Sequence, residues 1–133
     1  MSKRKPTEFV HHPVSYSQAL NDGGHRGVVH HVIDGDTYDI MVDYGFNEYG
    51  YKTFRLLGLD TPEIRGPEKE AGKWIAAHVE NLLLINPHVT VYTTPDVQTF
   101  GRYVATIWVH RYGDNDGFNL ADWIVRKMED YDG

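Results

Sequence analysis

Ile33-Asp34-Gly35-Asp36-Thr37-Tyr38-Asp39-Ile40-Met41-Val42-Asp43-Tyr44 is the stretch on which the fold turns. Tyr38, Ile40, Val42 and Tyr44 alternate with Asp39, Met41 and Asp43, the period of two that gives a strand one apolar face. Asp34-Gly35 ahead of it reads as a tight turn. Asp36 shares the parity of the apolar set, which puts a carboxylate at the end of the strand's inward face.

Outward from this strand the same periodicities give the remaining elements. A first strand begins at Arg26, with Val28, His30 and Val32 on one face and Val29, His31 and Ile33 on the other. Gly45 to Gly50 forms a hairpin loop, and Tyr51 to Leu59 returns as a third strand running into Asp60. A helix starts near Pro67, a residue suited to the first helical position. Its apolar stripe is Ala71, Trp74, Ile75, His78, Val79, Leu82 and Leu83, and Asn86-Pro87 ends it. Val89 to Thr93 and Arg102 to Val109 follow as strands. Asp114 to Gly117 turns the chain into a last helix capped by Asn119, with Leu120, Trp123, Ile124 and Met128 facing inward. This order predicts an α+β fold, mainly β: a five-stranded Greek-key barrel of the oligonucleotide-binding type. It carries two helices, the first between strands three and four. Residues 1–24 read as an N-terminal tail or extension and 25–133 as the domain.

Composition narrows the function classes. At 133 residues, with 41% hydrophobic and 24% charged residues, the chain suits one soluble domain with a real core. The absence of cysteine excludes disulfides and thiolate metal sites. No apolar run is long enough to span a bilayer. Met1 to Lys5 is basic but is followed by Pro6, Thr7 and Glu8, so no signal peptide is expected. The expectation is a soluble monomer without a membrane role, cytoplasmic if the chain is complete. A net charge of −6 argues against a broad basic footprint on a phosphate backbone.

The chemistry concentrates in Ile33 to Thr37 and in Arg55-Leu56-Leu57-Gly58-Leu59-Asp60-Thr61-Pro62-Glu63. Asp36 and Asp60 fall at strand ends, and with the Thr61 carbonyl they form an oxygen donor set suited to a hard divalent cation. Glu63, held off the strand by Pro62, suits a general base or a group that orients water. Arg55 and Arg102 suit the charge that builds on phosphoryl oxygens. Arg55 and Asp60 are five residues apart, so an ideal strand would point them to opposite faces. Both can line one site only if the chain bends, and Gly58 is the place for it.

Each residue also has a plainer reading. Asp-Gly is a common turn pair, Asp60 to Glu63 can be a polar strand exit, and a lone arginine is more often a surface ion pair. The histidines (His11-His12, His30-His31, His25, His78, His88 and His110) show no repeated ligand spacing, and no zinc site is expected from them. Trp74 and Trp123 belong to apolar helix stripes and read as core. Trp108 shares parity with Arg102, Val104 and Thr106, and so can reach either the core or the edge of the site. Tyr49, Tyr51, Tyr103 and Tyr112 are candidates for stacking on bases.

Ile-Asp-Gly-Asp-Thr, then Arg-Leu-Leu with Asp-Thr-Pro-Glu, then Phe-Gly-Arg, in this order over residues 26–128, resembles the staphylococcal (micrococcal) nuclease family. The resemblance implies an oligonucleotide-binding barrel and calcium-dependent hydrolysis of DNA and RNA to 3′-phosphate ends. It implies Asp36, Asp60 and Thr61 as metal ligands, with Asp34 behind them. Glu63 would be the general base, and Arg55 and Arg102 the phosphate-contacting pair. Manganese or magnesium could replace calcium, and the substrate would be single-stranded or flexible DNA or RNA. Where the family's prototype has a lysine and a tyrosine before the Gly-Arg step, this chain has Thr99 and Phe100. With Tyr103 these are the expected substrate-binding positions, with neither the lysine charge nor the tyrosine hydroxyl at the first two. The chain also stops short of the prototype's nucleotide-covering tyrosines and third helix. The rival readings are a binding module of the same fold and a structural protein that borrows the barrel.

Overall fold

Backbone pairing in the computed structural model closes five strands into a barrel, with a sixth strand outside it and three α-helices, so the fold is mainly β. The structure describes residues 6–99, 102–111 and 117–132. The elements are α1 (Tyr16–Asn21), β1 (His25–Asp34), β2 (Thr37–Gly45), β3 (Glu48–Leu56), α2 (Lys69–Ile85), β4 (His88–Thr99), β5 (Arg102–Val109), β6 (Phe118–Asn119) and α3 (Leu120–Met128). The sheet order is β3-β2-β1-β4-β5-β6, and a parallel pairing of β3 with β5 closes the ring. That pairing sets Thr53 against Arg102 and Arg55 against Val104, which brings two arginine-bearing strands side by side.

The alternation in β2 survives folding. Tyr38, Ile40 and Val42 lie in the main core with Phe54, Leu56, Val89, Val91, Ile107 and Val109. Ile75, Val79 and Leu83 of α2 and Leu120 and Ile124 of α3 close that core. The other face of β2 is covered as well: Met41 and Val28 pack beneath Phe9. Residues 6–24 supply this cover. They carry a 3-10 turn at Pro6–Phe9 and the helix α1, whose cap Ser15 accepts the Gln18 amide. Val14 and Ala19 are buried in this segment too.

His12 pins the segment to the barrel. Its Nε2 donates to the Val89 carbonyl at 3.1 Å and the Gly27 carbonyl at 3.3 Å, while Nδ1 accepts the Val14 amide at 3.1 Å. Burial, followed by the nearby His88, lowers the His12 pKa from 6.5 to about 4, so the ring is neutral.

Several boundaries differ from the sequence reading. The β2–β3 turn is two residues, Phe46 and Asn47, both at positive φ, rather than a loop from Gly45 to Gly50. Strict alternation in β1 fails because its register against β2 slips between Val29 and His31 and again between Val32 and Asp34. Val29 and Val32, three residues apart, therefore both reach the main core. The third strand stops at Leu56 instead of continuing to Leu59, so Asp60 stands on a loop and not at a strand end. Helix α2 starts at Lys69, two residues after Pro67. Strand β4 continues past Thr93 to Thr99, with a register shift against β5 on the way. Strand β5 and the Asn119 cap lie where the periodicity puts them. The expected turn at Asp114 to Asp116 lies outside the described residues. Among the described residues no helix is long and apolar enough to cross a membrane.

Candidate active site

The turn between β1 and β2 fixes the first carboxylate. Tyr38, fully buried, donates its hydroxyl to the Gly35 carbonyl and so holds the turn just before Asp36. Burial and the adjacent Asp36 charge push the Tyr38 hydroxyl pKa well above its usual value, which keeps it a donor. Asp36 itself is 7% exposed. Its Oδ1 accepts the Thr37 hydroxyl at 3.0 Å and its Oδ2 accepts the Thr61 amide at 3.1 Å. The Asp36 carbonyl accepts the Leu56 amide at 2.9 Å, placing Arg55 beside it.

The bend needed at Gly58 is present. After Leu56 the chain leaves the sheet through Gly58 at φ +73°, a left-handed conformation that favours glycine. It returns across the turn at Asp36, so Arg55 and Asp60 meet despite their odd spacing. An Arg55 Nη2 contacts Asp60 Oδ1, and Arg55 Nε lies 3.9 Å from Asp36 Oδ2. A single guanidinium thus bridges the two carboxylates. Asp60 is otherwise open to solvent, its side chain 80% exposed.

Glu63 is carried by a loop that lies on α2. Gly72, buried in the first turns of α2, lets the Glu63 backbone rest directly on the helix, since any Cβ at 72 would overlap the Glu63 carbonyl. Asp34 completes the group from the end of β1. Its carboxyl is raised from the ordinary value first by desolvation, then by the charges of Asp36 and Glu63. The Ile64 amide and Arg102 pull it the other way. These couplings put Asp34, Asp36, Glu63 and Arg102 within one electrostatic neighbourhood.

All of these side chains line one cleft of about 570 Å³, together with Thr37, Thr61, Pro62, Arg65, Pro67 and Glu68. A cleft of that size is within the usual range for ligand sites, about 300–1,000 Å³. Asp36, Arg55, Asp60, Thr61, Glu63 and Arg102, with Asp34, are therefore brought together. Tyr103 is not: it faces the barrel end, packs on Phe54 and Lys52, and lines a separate recess with His25 and Tyr44. Thr99 pairs with Arg102 through the backbone, and Phe100 lies outside the described residues. Tyr49 and Tyr51, candidates for base stacking, instead pack against the Phe9 cluster. Arg65 and Glu68 are cleft residues that sequence reading missed. They fall in the loop between motif and helix, where no periodicity reports which way a side chain turns.

The oxygens expected to hold a cation, the Asp36 and Asp60 carboxylates and the Thr61 carbonyl, belong to residues that line this cleft. The Thr61 hydroxyl is buried without a hydrogen-bond partner among the described residues. That buried polar orphan fits a site that accepts a hard cation. Among the described residues no group of three or more His, Asp or Glu side chains forms a metal cage. No family model matches the chain, and no curated protein matches it either. The likeness to the staphylococcal nuclease family rests on the quoted motifs themselves.

Proposed function

We propose that the protein is a divalent-metal-dependent nuclease that hydrolyses phosphodiester bonds in single-stranded or flexible DNA or RNA. One observation carries the reading: Asp36, Arg55, Asp60, Glu63 and Arg102, from three separated stretches of chain, converge on one cleft. The ring order β1-β2-β3-β5-β4 is read as the oligonucleotide-binding, Greek-key type of barrel.

Asp36, Asp60 and the Thr61 carbonyl would hold the ion, calcium first, with manganese or magnesium suited to the same oxygens. When bound, it supplies Lewis-acid polarisation of the phosphoryl group and makes water more acidic. The chain's own residues do the rest. Glu63 takes the proton of the attacking water or orients it in line with phosphorus. Arg102, which has no ion pair to a carboxylate among the described residues, meets the phosphoryl oxygens as their charge grows. Arg55 exchanges its carboxylate partners for phosphate as substrate enters.

A binding module of the same fold is the second reading. What favours it is Arg55, whose charge is already matched by Asp36 and Asp60. Digestion of single-stranded DNA and RNA with calcium, manganese, magnesium or chelator separates the two. The nuclease reading expects cleavage that chelator abolishes and that Asp36→Ala loses. Retained binding without cleavage under every metal would establish the module instead.

A further inference from the structure

Strand β5 carries a second feature on the face that holds Arg102. Ala105, Ile107 and Val109 face inward and are fully buried, so Arg102, Thr106 and Trp108 lie on the opposite side of the strand, with Val104 between them buried at 9% exposure. Trp108 ends this outer row at 36% exposure, between neighbours that are fully buried. Six residues at about 3.3 Å each put it roughly 20 Å from Arg102.

Around Trp108 lies a recess of about 470 Å³ shared with Arg111, Phe118, Trp123 and Arg126. The backbone pairing of Trp108 with Asn119 brings α3 against the end of β5. Trp123 and Arg126, three apart on α3, share one helical face. The Arg111 guanidinium lies over the Phe118 ring at 4.6 Å, a cation–π contact that leaves its charge available to an anion. Asp122 is the carboxylate lining the recess, so the guanidiniums outnumber it two to one. Among the described residues neither arginine has an ion pair. Two arginines beside Trp108, Phe118 and Trp123, in a chain of net charge −6, suit a ligand with both a flat ring and a phosphate.

We propose that the Trp108 recess is a second nucleic-acid contact that stacks an unpaired base of the strand and holds its phosphate on Arg111 and Arg126. The choice of ligand rests on the nuclease reading of the acidic cleft. At about 3.4 Å per stacked nucleotide, a strand running from Arg102 to Trp108 needs about six nucleotides, and fewer if extended.

The test is fluorescence anisotropy of a labelled single-stranded DNA of about ten nucleotides, with chelator present so that it stays intact. It is read beside cleavage kinetics with metal for that strand and for a dinucleotide. Trp108→Leu and Arg126→Gln should each raise Kd about tenfold, with Trp108→Tyr within about threefold of wild type. The preference for the longer strand in kcat/KM should fall by a similar factor. Unchanged affinity and unchanged length preference in Trp108→Leu and Arg126→Gln would overturn the inference while leaving the nuclease standing. Weakened binding in these variants, in a protein that cleaves nothing, would uphold the contact and remove the nuclease reading. Should Trp108→Leu fail to fold, Arg126→Gln and Trp108→Tyr decide the matter.

Discussion

Asp34 reports how crowded the cleft is with negative charge. Its carboxyl is raised by desolvation and by Asp36 and Glu63, so the ionised form costs stability in the folded state. A group raised in this way destabilises above its folded pKa and ceases to do so as pH falls through it. Asp34→Asn should therefore raise Tm by about 1–3 °C at neutral pH with chelator present, and the gain should vanish on acidification. Calorimetry across pH checks this; a lower Tm for the variant at neutral pH would show that Asp34 is held by attraction. At the same scale, Tyr38→Phe removes the hydroxyl that fixes the turn before Asp36. It should cost about 1 kcal/mol in denaturant unfolding. At this scale the sequence was most readable: Asp36, Arg55, Asp60, Glu63 and Arg102 all reach the cleft. Tyr103 does not, because its parity on β5 is opposite to that of Arg102 and it lines a separate recess at 37% exposure.

Elements were legible where one periodicity ran unbroken, as in β2, β5 and the stripe of α2. They were not where a bulge or a loop decided the outcome. The slips in β1 turn Val29 and Val32 to the same core, which no fixed period encodes. The loop of residues 57–68 is held by tertiary contacts, chiefly the Thr61 amide on Asp36 and the Glu63 backbone on Gly72. Gly72→Ala should push this loop off α2, destabilise by about 1–3 kcal/mol and lower the cleavage rate through Glu63. Unfolding curves and initial rates would show both losses together.

Residues 6–24 make a sharper prediction. The His12 pKa is lowered to about 4, chiefly by burial, with His88, Arg26 and His110 adding to it and the Val89 carbonyl opposing. A histidine kept neutral in the folded state stabilises fully above its unfolded pKa of about 6.5, and that stability is lost as pH falls towards 4. The window represents about 3 kcal/mol. Limited proteolysis should cut near residues 6–24 progressively faster from pH 6.5 to 4, and His12→Gln should flatten the profile.

The whole molecule is an acidic barrel whose cleft and Trp108 recess each hold a pair or more of arginines. On the proposed reading, Arg55 and Arg102 in the cleft and Arg111 and Arg126 beyond it would make about four phosphate contacts. At about 0.7 per phosphate for single strands, the plot of log K against log salt should be no steeper than about −3. A much steeper slope would mean a basic surface that the net charge of −6 does not suggest. Composition had indicated that grip would be local, but the second cluster was hidden because its residues come from β5, β6 and α3, which only the folded chain assembles.

If the cleft residues act as one catalytic unit, as proposed, a double-mutant cycle on cleavage rate will show it. Glu63→Gln and Arg102→Gln, each assayed on single-stranded DNA with calcium, should each lose about 10²–10³-fold. The double variant should lose far less than the product of the two, because groups serving one transition state are not additive. Wild-type rates in either single variant would mean that Glu63 or Arg102 takes no part in cleavage.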